Sequence, residues 1–162
     1  MDLQEKQDLF AQLARSLTSE YDILVAAHQA TQAGATHEEA KPENDKDTRA
    51  LEQSYLARGQ AERVLQLEDE LRLLKRLVVR IFPEGGPIAL GALVQAQEEN
   101  LVHHYLFAPV GAGEELTLGE IRVKVVTPRS PLGKALHGGE LDDDVQVQSP
   151  TGRRLLSIVR IE

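Results

Sequence analysis

Three carboxylates, Glu43, Asp45 and Asp47, stand within five consecutive residues of this 162-residue chain. Hard oxygen donors of this kind suit magnesium, which takes one or two carboxylates and completes an octahedron with water and phosphate. Two registers bring a pair together. If a helix begins early, Glu43 and Asp47 lie four residues apart on one face. In a loop, Asp45 and Asp47 converge instead. The competing reading is that these acids solvate a turn, and that Asp45 or Asp47 caps the helix that follows, where a carboxylate meets the positive end of the helix dipole. Glu38 and Glu39 read more readily as solvated surface.

Other residues invite chemistry and carry less of it. His37 beside Glu38 and Glu39 lacks the fixed spacing of a transition-metal site. His103 and His104 are adjacent in a strand pattern, so they point to opposite faces and cannot easily chelate; one is expected outward and one partly buried. Ser130 lacks the Gly-x-Ser-x-Gly surroundings of a hydrolase nucleophile. Followed by Pro131, it reads as the cap of a short helix with proline at the first helical position. In that helix Leu132 is either a core residue or an exposed anchor. Arg49, Arg58 and Arg63 stand outside the apolar rows of a helix, as a solvated flank or as contacts to phosphate or an acidic partner.

The elements that must position these residues change in texture near residue 83. Before it, glycine and proline are rare. Leu3, Phe10, Leu17 and Leu24 recur at heptad spacing, with Leu13 and Ala27 beside them. In a second run, Ala50, Ala57, Val64, Leu71 and Val78 form one row, and Gln60, Leu67, Leu74 and Ile81 the other. This 3-4 alternation is a coiled-coil seam. Two such helices with a polar connection, Gly34 to Lys46, fold back as an antiparallel hairpin, each covering the other's apolar stripe. Gly34 reads as a helix stop, and Pro42 resists a continuous helix. Helices of roughly 30 residues are about 45 Å long, which suits a probe better than a compact core.

After residue 83 the pattern is of strands: Ile88 to Gln97, a turn at 98–100, Leu101 to Phe107, a glycine-rich loop at 108–113, and the alternating Ile121 to Val125. The short helix at 130–136 follows, then Val145 to Val147 and Leu155 to Ile161. About five antiparallel strands with one helix give a small α+β domain. The resulting division is a hairpin at 1–82, a hinge at 83–87 in Phe82-Pro83-Glu84-Gly85-Gly86-Pro87, and a β domain at 88–162.

Composition narrows the partners. The net charge of −8 is a poor match for direct nucleic-acid binding, which rests on Lys and Arg neutralising phosphates. Sequence-specific DNA binding is therefore not expected. There is no cysteine, which excludes disulfides and thiolate metal sites and fits a cytoplasmic location. The start, Met-Asp-Leu-Gln-Glu-Lys, does not read as a secretory signal, and no apolar stretch is long enough for a bilayer.

The run Val126-Thr127-Pro128-Arg129-Ser130-Pro131-Leu132-Gly133-Lys134-Ala135-Leu136 resembles the signature of the Gre transcript-cleavage factors. Gly91-Ala92-Leu93-Val94, Ala108-Pro109, Thr151-Gly152-Arg153 and Ile158-Val159-Arg160-Ile161 agree with it, and the preceding hairpin has the family's order. The resemblance implies an FKBP-like C-terminal domain that grips the rim of the secondary channel of RNA polymerase, with Arg129, Ser130, Pro131, Leu132 and Lys134 as the docking element. It implies a coiled coil entering that channel. The tip acids, here Glu43, Asp45 and Asp47, would help hold a second Mg2+ ion of the polymerase active site and a water. The polymerase then cuts the 3′ end of backtracked RNA, the factor having no catalytic residues or cofactor of its own. In such a two-metal cleavage the second ion activates the water and shares the developing charge.

The tip departs from the family's pattern of Asp and Glu three residues apart, because Lys46 interrupts the acids. After the short helix, Gly138-Gly139 replaces the usual Gly-Lys, and an acidic run from Glu140 to Asp144 follows. These departures keep open a channel-binding regulator without cleavage activity. An FKBP-like isomerase or chaperone has less support, because those sites are aromatic-lined and the C-terminal half has only Phe82, Tyr105 and Phe107; fold alone does not transfer function. A plain coiled-coil adaptor is the remaining alternative.

Overall fold

The structure, a computed structural model, describes residues 2–38, 48–83, 85–149 and 152–162. The chain forms two compact units: residues 15–71, and residues 1–14 together with 72–162. These boundaries fall inside the helices, a different partition from the expected 1–82, 83–87 and 88–162.

Helix α1 spans Leu3–Glu38. Its start is fixed by a reciprocal cap: Asp2 Oδ1 accepts from the Glu5 amide at 2.7 Å, and Glu5 Oε2 accepts from the Asp2 amide at 2.9 Å. Two otherwise orphaned donors are thereby satisfied. The helix runs through Gly34, which is not the stop the sequence suggested. One glycine costs a helix only about 1 kcal/mol, too little to end it. Helix α2 spans Thr48–Arg76. The apolar pattern predicted helix as far as Ile81, but the chain leaves it after Arg76, and Val78 and Ile81 are exposed. Lys75 and Arg76 in the last turn favour a terminus there. Beyond it, the carbonyl of Arg80 accepts from Lys6 Nζ at 2.8 Å instead of bonding within a helix.

In the unit of residues 15–71 the two helices form the hairpin. Leu17 and Leu67 are buried, and Leu24, Ala57, Val64 and Leu71 are half-buried, as the heptad rows require. Polar cross-links flank this seam. Tyr21 donates to Glu68 at 3.0 Å. Arg63 donates twice to Glu20, at 2.9 and 3.0 Å, and once to Glu70 at 3.2 Å.

The other unit is built on a six-stranded sheet: β1 Leu93–Glu98, β2 Leu101–Phe107, β3 Glu115–Leu118, β4 Ile121–Val126, β5 Asp144–Ser149 and β6 Gly152–Ile161, in spatial order β3-β4-β2-β1-β6-β5. Two features correct the expected five antiparallel strands. The four-residue β3 is an extra strand at one edge. Because β3 and β4 form a hairpin, β4 returns beside β2 in parallel, with Tyr105 opposite Lys124 and Phe107 opposite Val126; the other neighbours are antiparallel. The first strand also starts later than expected, at Leu93 rather than Ile88.

Val94, Ala96, Tyr105, Phe107, Val126, Leu156 and Ile158 form the core on one face, with Leu136 of helix α3 (Pro131–Leu136), Phe82 and Ile88. Phe82, the last residue of the expected hairpin, is thus a core residue of this unit. Residues 1–14 pack here as well. The Gln12 amide clasps edge strand β3, donating to the Thr117 carbonyl at 2.8 Å and accepting from the Thr117 amide at 3.1 Å. Leu13 Cδ1 would lie 2.5 Å from a Cβ on Gly111, whose φ is 79°, so that loop position requires glycine twice over. Leu9, Phe10 and Leu13 are buried, whereas Leu3, placed in the same apolar row, is 37% exposed. Among the described residues no helix is long and apolar enough to cross a membrane.

Candidate docking face and hairpin tip

Glu43, Asp45 and Asp47 lie outside the described residues, as do Glu39 and Pro42, and the side chains of His37, Glu38 and Arg49 are not described. Of the helix α2 arginines, Arg63 bridges Glu20 and Glu70, while Arg58 pairs with Glu62 on the exposed flank of its own helix at 3.0 Å. Both therefore serve the hairpin.

The docking element predicted from sequence is assembled around α3. Ser130, extended at φ −71°, ψ 152°, accepts from the Gly133 amide at 3.0 Å and donates to the Thr127 carbonyl at 2.8 Å. Its hydroxyl is thus the expected helix cap, fully engaged in structure and not poised as a nucleophile. Pro131 takes the first helical turn, where a missing N–H costs nothing. Gly133 is forced by packing: a Cβ there would stand 1.8 Å from the Thr127 carbonyl oxygen and 2.6 Å from its carbon. This contact locks the helix against the preceding loop. Arg129, Pro131 and Lys134 are left exposed on one short stretch, and Leu132 is half-buried against the core. Leu132 is therefore both core and available surface, rather than one or the other.

Beside α3, where the helix leaves the sheet uncovered, lies a groove of about 520 Å³ lined by His103, Tyr105, Lys124, Leu132 and Arg154 among others. Sequence reasoning did not find its polar floor. Arg154 Nε donates to Glu98 at 2.7 Å, and a second Arg154 nitrogen reaches the other carboxylate oxygen. The buried Tyr105 lines the same groove as Arg154. His103 Nε2 stands 3.3 Å from Glu98, and its ring stacks on Tyr105 at 6.1 Å. The Arg154 guanidinium holds the Glu98 carboxyl below the usual carboxylate range, and burial pushes the Tyr105 phenol up. These residues come from β1, β2 and β6, so only the strand register joins them. Their alternation with core positions was the available signal: Tyr105 and Phe107 fix His103 on the α3 side. His104, on the opposite face, has its imidazole pushed down by burial. Both histidines are half-buried, where one was expected outward.

Fold and face together define a hairpin-bearing α+β protein with a capped surface helix. No model of a known protein family matches the chain. It is 31% identical over 119 residues to the transcription inhibitor protein Gfh1 of Thermus thermophilus, covering 73% of each chain. It is 27% identical over 119 residues to the transcription elongation factor GreA of Haemophilus influenzae, covering 74% of this chain and 71% of that one. A match of 26% over 99 residues to GreA of Verminephrobacter eiseniae spans 61% of this chain and 60% of its relative. A crystal structure of Gfh1 from Thermus thermophilus aligns over 92% of this chain and 94% of that one at 20% identity, with a TM-score of 0.38. The chain belongs to the GreA/Gfh1 family of transcription factors.

Proposed function

We propose that this chain binds RNA polymerase at the rim of the secondary channel and modulates elongation. The exposed stretch at α3, Arg129 to Lys134, is the docking element in this reading, with the half-buried Leu132 as its apolar anchor. Glu43, Asp45 and Asp47 at the hairpin connection lend carboxylate oxygens to an Mg2+ ion of the polymerase active site. The ion supplies Lewis acidity toward a water and the RNA phosphate, and the carboxylates steady it. Cleavage of backtracked RNA is then stimulated within the polymerase, with the RNA 3′ end met only indirectly. The factor contributes ligands and position and remains an accessory, working in the cytoplasm where the polymerase is. The observation that carries a role in transcription is the 31% identity over 73% of the chain to Gfh1, with the likeness to GreA beside it. The net charge of −8 supports a protein partner over direct contact with nucleic acid.

A second reading, a channel-binding regulator that does not stimulate cleavage, draws support from the same relative, which is named a transcription inhibitor, and from Lys46 among the tip acids. Both readings require polymerase binding, which a pull-down with core polymerase tests. Leu132→Asp and Lys134→Glu are expected to weaken capture at least about fivefold, since a residue that matters at an interface carries about 1 kcal/mol or more. Capture that neither variant disturbs would remove α3 as the docking element, and no capture of the unaltered chain would remove the proposal. A proline-isomerisation assay separates the isomerase alternative, and no turnover is expected.

A further inference from the structure

A second cleft, of about 360 Å³, lies in the unit that contains the sheet, between Lys6 of α1, Ile81, Phe82, Gly85, Leu141 and the end of β6. Its size falls within the range of small-molecule sites, which begin near 300 Å³. Ile81, Phe82, Leu141, Val159 and Ile161 give it an apolar part. Ile81 is 62% exposed, Leu141 42% and Val159 38%, so the apolar surface is open at the mouth.

Inside it is Lys6, only 2% exposed. A lysine is almost never buried this far without a partner. Its ammonium donates to the Arg80 carbonyl at 2.8 Å and stands 4.8 Å from the centre of the Phe82 ring. Neither neighbour carries a negative charge. Arg80 stacks on the same ring at 5.0 Å. Arg160, which also lines the cleft, pairs with the Glu162 side chain at 2.9 Å. Two cations, Lys6 and Arg160, thus line the cleft together with the Glu162 side chain.

We propose that this cleft binds a small amphiphilic anion, a carboxylate on a short aliphatic body, with its head toward Lys6 and Arg160 and its chain along Ile81, Leu141 and Val159. An ammonium offers three donors, and a carboxylate beside it would supply the charge-assisted partner that a backbone carbonyl cannot. Burial has lowered the Lys6 amine to about 8, with Glu162 raising it and Arg80 lowering it further. A bound anion favours the ammonium and draws it back up. None of the residues lining the cleft belongs to α3, so its ligand is a candidate effector rather than part of polymerase docking.

The test is titration of the isotopically labelled full chain with octanoate, octanol and inorganic phosphate, followed by methyl and amide shifts. Octanoate is expected to give saturable shifts confined to residues around Lys6, Ile81 and Val159, with a dissociation constant on the order of 1 mM or tighter. Octanol and phosphate are expected to bind at least about tenfold more weakly, each lacking half of the chemistry. Lys6→Met, checked for folding by circular dichroism, is expected to lose at least about tenfold in octanoate affinity. Val159→Glu, at the exposed mouth, keeps Lys6 and places a fixed carboxylate there; it is expected to abolish binding. Unsaturable shifts with octanoate, equal binding of octanol, or unchanged affinity in Lys6→Met would each overturn the proposal. If both variants fail to fold, the comparison of octanoate with octanol on the unaltered chain still decides.

Discussion

Single residues fix the two ends of the sheet-bearing unit's attachments, and their energetics are separable. Ser130 caps α3 through the Gly133 amide, so Ser130→Ala should cost about 1 kcal/mol, measured by denaturant unfolding. Gly133→Ala should cost about 3 kcal/mol or more, because the added methyl meets backbone of Thr127 that cannot move aside cheaply. An equal loss for both would mean that the contact at Gly133 is not the lock described. Lys6 gives a pH signature. Its amine titrates near 8 in the fold against 10.5 in the unfolded chain. Between those values the unfolded chain binds more protons, so stability rises with pH through that window. Lys6→Met should lack this rise, measured as the difference between the two stability curves from pH 7 to 10.5, and parallel curves would remove the buried charge as its cause. The Ser130 cap, the proline after it and the α3 boundaries were visible in sequence because each rests on neighbours one to three residues away. The Arg154–Glu98–Tyr105–His103 cluster was not, because its members are up to 56 residues apart and meet only through the register of β1, β2 and β6.

At the scale of elements, the hairpin seam followed the heptads where apolar side chains oppose one another, at Leu17 and Leu67, and departed from them at the ends. Ile81 and Val78 continue the pattern, yet α2 stops at Arg76, because Phe82 is drawn into the core of the sheet-bearing unit and a helix cannot deliver it there. Spacing alone does not carry that tertiary demand. Likewise β3 was missed because a four-residue edge strand, Glu115–Leu118, is too short for its alternation to stand out, and with it went the parallel pairing of β4 on β2. Leu67→Ala should destabilise the hairpin by about 2–5 kcal/mol, since it removes a fully buried side chain. Exposed Leu65→Ala in the same helix should change stability by less than about 0.5 kcal/mol. Hydrogen exchange along α1 and α2 distinguishes the two, and equal effects would mean that the seam does not face as described.

For the whole molecule, the family assignment rests on the likeness to Gfh1 and GreA, and the proposed function adds a capped surface helix and three acids read from the sequence, Glu43, Asp45 and Asp47. In the proposed function α3 is the docking element, and Glu43, Asp45 and Asp47 are the donor set, whose hard carboxylate oxygens match magnesium. The direct measurement is RNA cleavage in a stalled, backtracked elongation complex with Mg2+, comparing no factor, the unaltered chain and a chain carrying Glu43→Ala, Asp45→Ala and Asp47→Ala. The unaltered chain is predicted to shorten the RNA faster than the polymerase does alone, and the triple variant to bind but lose that acceleration. Bound factor with no shortening above the polymerase's own rate would contradict the carboxylate mechanism and leave the non-cleaving regulator in its place.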